Sequence, residues 1–200
     1  MKFIARTIFN VILLGIVSGC VSMQQMQNGM DEIDLFWGEV NQKIISSKGS
    51  KVYSKEVSKC LDAAKKTALQ LGFSITEESN NSLILRALTP APFTKDEYRD
   101  IKDIEEPMMQ AMVANHVGKF YSKLFTIDDK GLFYIIVKIN ISQNSAYDGS
   151  LVQITFQLYP KNDDDMKGFV YGLNPPPEAV RKGLDKWWNA FESNLETTQR

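Results

Sequence analysis

Residues 150–159 read SLVQITFQLY, and the alternation does not slip. Val152, Ile154, Phe156 and Leu158 fall on one face of an extended strand; Leu151, Gln153, Thr155 and Gln157 fall on the other. A period of two marks a strand with one apolar and one solvated face, and the apolar face needs a cover. Residues 132–142 (LFYIIVKINIS) form a second strong strand, joined to the first by the polar loop 143–149. The turn residues Asp128-Asp129-Lys130-Gly131 precede it.

The cover is written at the C-terminal end. Asn174-Pro175-Pro176-Pro177 stiffens the approach to EAVRKGLDKWWNAFESNLE, where Val180, Leu184, Trp187, Trp188, Phe191 and Leu195 make one broad helical stripe. A stripe carrying two tryptophans must be buried. Pairing it with the half-wet strands predicts an α+β domain. The sheet is antiparallel, of about five to six strands packed against helices, with the Trp-bearing C-terminal helix across one face.

The remaining elements fit that plan. Residues 51–53 read as a short strand. Val57, Cys60, Leu61, Ala64, Ala68 and Leu71 recur at helical spacing, with Ser54 as the expected N-cap and Gly72 as the stop. Residues 73–77 and 83–88 read as a hairpin around Asn80-Asn81. After the break TPAPF (89–93), Thr94 caps a helical insertion near 94–124. Pro107 is expected to interrupt that helix and open a second, with Met108, Met112, His116 and Phe120 along one side. Residues 119–127 fit either a helix end or a strand. Upstream, Met30, Ile33, Trp37, Val40 and Ile44 predict a short amphipathic helix over 30–45. Residues 21–29 (VSMQQMQNG) carry no core pattern and read as a tether, so the expected domain is 30–200.

Residues 1–19 order themselves differently. Lys2 and Arg6 make a positive start, residues 8–17 are mostly apolar, and small residues follow. That is a secretory signal, since a spanning helix needs roughly 20 apolar residues. No A-x-A-like cut site is present. Val17-Ser18-Gly19-Cys20 instead resembles the lipobox of bacterial lipoproteins: an aliphatic residue, two small ones, then cysteine. The resemblance implies a diacylglycerol on the Cys20 thiol, cleavage before Cys20, and acylation of its new amino group. Two or more chains anchor stably where one is marginal. Val21-Ser22 places no Asp after the cysteine, which resembles the outer-membrane class and implies a domain facing the periplasm of a Gram-negative cell.

Composition excludes several function classes. The 23 Lys and Arg, less Lys2 and Arg6, against 24 Asp and Glu leave a formal balance of −3 after cleavage. No basic excess recruits nucleic acid. With Cys20 lipidated, Cys60 has no partner in the chain, and its place on an apolar face makes it a small core residue. His116 is the sole histidine, so a three-histidine zinc site within one chain is impossible. Walker A, G-x-G-x-x-G and G-x-S-x-G are missing. Asp163-Asp164-Asp165 lacks the ligand spacing of a calcium loop, and Asp96-Glu97 and Glu105-Glu106 read as polar helix faces. The expectation is a protein without metal, cofactor or catalytic residues.

The stretch VYSKEVSKCLDAAKKTALQLGFSITEESNNSLILRA looks like a strand–helix–Gly–strand–turn–strand pattern of small Gram-negative lipoproteins, with Val57, Gly72, Phe73, Ile75 and Ile84 at the pattern positions. With the later strands and the Trp-bearing helix, the order is similar to helix-grip domains, which occur in a lipoprotein accessory of outer-membrane protein assembly. The resemblance implies no activity. Two functions are expected, the first from the lipobox, the tether and the missing catalytic motifs, the second from the helix-grip order. One is a lipid-anchored, non-enzymatic accessory that binds an envelope protein, with Trp37, Met108, Met112 and His116 as candidate contacts. The other is a module holding a small apolar or cell-wall ligand between helix and sheet, lined by Phe156, Trp187 and Trp188.

Overall fold

The computed structural model describes residues 21–144, 148–161 and 173–197. Among them the chain order is α1 (Met23–Lys48), β1 (Ser50–Tyr53), α2 (Val57–Gln70), β2 (Ser74–Glu78), β3 (Ser82–Leu88), α3 (Lys95–Ser122), β4 (Phe133–Gln143), β5 (Ser150–Pro160) and α4 (Pro177–Thr197). The strands form one antiparallel sheet in the order β1-β5-β4-β3-β2. The architecture is the expected α+β one, with five strands and α4 across one face.

Register explains why that face closes. Pairing sets Leu83, Ile139 and Ile154 in one row and Leu85, Val137 and Phe156 in the next. A slip of one residue would turn every one of them to water. Onto these rows α4 lays Val180, Leu184, Trp187 and Phe191, while α2 adds Cys60, Ala64 and Ala68. Phe73 meets Trp187 edge-on, and Trp188 meets Phe191 edge-on with ring centroids 5.9 Å apart. The indole N–H of Trp188 donates to the Lys48 carbonyl at 2.7 Å, which satisfies an end of α1.

Several expected details hold and others shift. Gly72, at φ +80°, ends α2 as expected. The Phe73 N–H returns to the Ala68 carbonyl and the Gly72 N–H to Leu69, a Schellman closure. The N-cap of α2 is Glu56 rather than Ser54. Thr94 caps α3 in a reciprocal box with Glu97.

Pro107 does not break α3. Buried Ile101, Glu105, Met109, Val113 and Val117 keep one phase through it while Pro107 itself faces solvent. Burial on both sides of the ring outweighs the roughly 3 kcal/mol that an internal proline costs. The real break is Gly118, at φ +79° and ψ 159°. Residues 119–122 then make a last turn, and 124–127 is neither helix nor strand.

The largest correction lies at the N-terminal side. Residues 23–29 are helical, not a tether. Ser22 accepts the Gln25 N–H while the Gln25 side chain accepts the Ser22 N–H, a capping box that starts α1 seven residues before Met30. The resulting 26-residue helix lies along α3 and builds a second apolar cluster from Ile33, Trp37, Ile101, Met109 and Val113. Residues 1–20, with Cys20, lie outside the described residues, as do Asp163, Asp164 and Asp165.

Candidate functional site

Of the four expected interaction residues, three on α3, Met108, Met112 and His116, are at least partly open to solvent. Gly29 is buried, and a Cβ there would sit 3.2 Å from Val113 Cγ1, so the two helices meet closely at this point. The Gln25 amide donates to the His116 carbonyl at 3.2 Å, which sets the start of α1 beside the end of α3. His116 Nε2 lies 2.5 Å from Glu32 Oε2, a cross-helix pair. Met112 and His116 are half-buried, and Met108 is exposed. Trp37 is the exception. At 6 % exposure it belongs to the second cluster, because its turn of α1 faces α3 rather than solvent. Its neighbours Leu35 and Phe36 are exposed instead, as is Ile104 on α3.

The same two helices position the start of α4. Glu105, only 3 % exposed, accepts the Glu178 N–H at 2.7 Å. A carboxylate at a helix start offsets the dipole there. Burial, with the Glu178 charge adding to it, holds the Glu105 carboxyl above the usual glutamate value; the Glu178 N–H and Arg181 oppose this. Glu105 is therefore not the polar helix face expected from sequence. Its i, i+4 phase with Ile101 and Met109 was the available signal. Asp34 accepts the Leu173 and Asn174 N–H groups at 2.6 and 2.8 Å, and buried Asn41 donates to the Pro175 carbonyl at 2.8 Å.

The helix–sheet cleft brings together two of the three expected lining residues. Phe156 and Trp187 line it with Pro90, Phe93, Pro175 and Gly183. Trp188 does not; it packs against Tyr53 and Phe191, with the Lys51 ammonium 5.3 Å from its ring centroid. The void is about 50 Å³. A cavity that admits benzene is roughly 150 Å³. Among the described residues the indole N–H of Trp187 has no hydrogen-bond partner.

Reactive groups are held quiet. Cys60 is fully buried, and that burial pushes its thiol up. The Tyr53 hydroxyl donates to Glu192 at 3.0 Å, and burial, then Glu192, push it far up. The hydrogen bond from Lys51 chiefly holds Glu192 below the usual range. Among the described residues no group of three or more His, Cys, Asp or Glu is placed to hold a metal, and no helix is long and apolar enough to cross a membrane. Comparison with protein-family models, curated proteins and solved structures returned no match.

Proposed function

We propose that this chain is the precursor of an outer-membrane lipoprotein. Its mature domain is anchored through Cys20, faces the periplasm and serves as a non-enzymatic accessory that binds an envelope protein. The observation that carries the anchor is the order of charged start, short apolar run and Val17-Ser18-Gly19-Cys20. The folded domain fits directly behind it: Ser22 caps α1 and Val21 already packs on the second cluster. The protein-binding surface is the α3 flank of the α1–α3 seam, where Ile104 and Met108 stay exposed beside Met112. Methionine adapts to partners of varied shape.

Fractionation of the native host tests the anchor. The wild type is expected in the outer membrane and a Cys20→Ala variant outside it. A photocrosslinker at Met108 is expected to capture one recurrent envelope protein, and a chain found alone would remove the accessory role.

A ligand between helix and sheet is the second reading, favoured by the apolar cleft and the Trp187 N–H, unpartnered among the described residues. A void of about 50 Å³ weighs against it, since ligand pockets run to roughly 300–1,000 Å³.

A further inference from the structure

Past Gly118 the chain reads Lys119-Phe120-Tyr121-Ser122-Lys123-Leu124, and its apolar side chains are the most exposed in the described residues. Phe120 is 81 % exposed and Leu124 72 %. The Gly118 break carries this turn out of the phase that buries Val113 and Val117. Neither cluster takes these two side chains. Both lysines are exposed. Residues 117–127 contain no Asp or Glu, and residues 21–30 contain no charged residue at all. These two segments are therefore apolar and carry only positive charge, on a chain whose formal charge is −1.

The chain enters the fold at the same place. Gln25 is bonded to His116, and Val21 packs on the cluster that Tyr121 and Phe125 also join. Met23, 55 % exposed, begins the helix there. Cys20 directly precedes Val21 in the chain.

We propose that Met23, Phe120 and Leu124, ringed by Lys119 and Lys123, form a membrane-seating surface. It dips into the headgroup boundary of an anionic phospholipid bilayer and fixes the orientation of the domain on it. An aromatic and a leucine flanked by lysines suit that boundary: the apolar groups leave water while the ammonium groups meet phosphates. The side of the bilayer and the closeness of the surface to it rest on the Cys20 reading; the affinity for lipid rests on the surface itself. The domain then sits flush on the membrane, with the α1–α3 flank turned sideways to a partner.

The test uses the full chain, made in a Gram-negative host, extracted and reconstituted into phosphatidylethanolamine–phosphatidylglycerol vesicles that contain a photoactivatable phospholipid. Lipid adducts are expected on the 119–124 peptide at roughly tenfold the yield on the peptide bearing exposed Leu69 of α2. Phe120→Ser with Leu124→Ser removes these adducts without moving the thermal midpoint. Lys119→Gln with Lys123→Gln lowers them several-fold in anionic vesicles and leaves them unchanged in pure phosphatidylcholine. Equal labelling at Leu69, or no adduct at 119–124, overturns the proposal. Intact mass from the same sample separates the two readings. Acylated Cys20 without adducts at 119–124 overturns the surface and keeps the anchor; adducts on a chain without acyl mass keep the surface and overturn the anchor.

Discussion

The cluster beneath the sheet and the cluster between α1 and α3 are filled in different ways. Beneath the sheet, aromatic rings and β-branched side chains from several elements interlock, and Phe191, Leu184, Ile139 and Ile154 are all at or near zero exposure. Between the helices, one stripe from each partner meets around Gly29, and a buried carboxylate, Glu105, sits at the margin. The sheet side keeps the Cys60 thiol buried and the Tyr53 hydroxyl hydrogen-bonded to Glu192. Exposed apolar side chains occur on both sides, Val52 and Leu69 on the sheet side among them, but the two most exposed, Phe120 and Leu124, lie in the helical lobe, which also receives the chain next to Cys20. The difference teaches a division of labour: the sheet and α4 make the domain stable, and α1 with α3 presents surface.

The strongest way to break that comparison is Phe191→Ala. Loss of a fully buried ring under the sheet is expected to cost about 3–5 kcal/mol, read as a lower urea midpoint for every element at once. Ile33→Ala, at zero exposure in the other cluster, is expected to cost about 2–4 kcal/mol. Hydrogen exchange should rise in α1 and α3 while β4 and β5 stay protected. Uniform loss of protection would merge the two clusters into one unit.

Ser22→Ala sharpens the boundary of the helical lobe. Removal of the cap is expected to cost about 1 kcal/mol, with faster exchange confined to the first turns of α1. No change there would restore the tether over 21–29.

The smallest effect concerns Glu105. Its raised pKa means that the folded state keeps the proton to higher pH than the unfolded chain does. Its contribution to stability is therefore full below the ordinary value of 4.5 and is lost as pH rises through the raised one. Glu105→Gln is expected to remove that loss, so the variant gains on the wild type as pH rises from 4.5 towards neutrality in denaturation series.

The sheet half of this fold was legible because its signals are local. Strict alternation in β5, the Trp stripe of α4, the Thr94 cap and the Gly72 stop each depend on neighbours in sequence. The helical half depended on contacts far along the chain. Gly29 reads as a linker residue until Val113 is seen against it. Pro107 reads as a break until the buried phase on both sides is counted, and Trp37 reads as a surface anchor until α3 covers it. The Ser22–Gln25 box was in the sequence and was outweighed by the polar, Gln-rich composition around it. Of the candidate site, Phe156 and Trp187 fell together as the stripe and strand periods imply. Trp188 left the cleft because one helical step of about 100° turns it towards Tyr53.

The central claim, a domain held directly against a membrane by Cys20, is tested most directly by the intact mass of the chain recovered from the outer-membrane fraction of its host. The predicted species begins at Cys20 and carries the mass of a diacylglyceryl group with a further acyl chain on its amino group. A chain cut elsewhere, or beginning at Cys20 without lipid and recovered from the soluble fraction, would contradict the account.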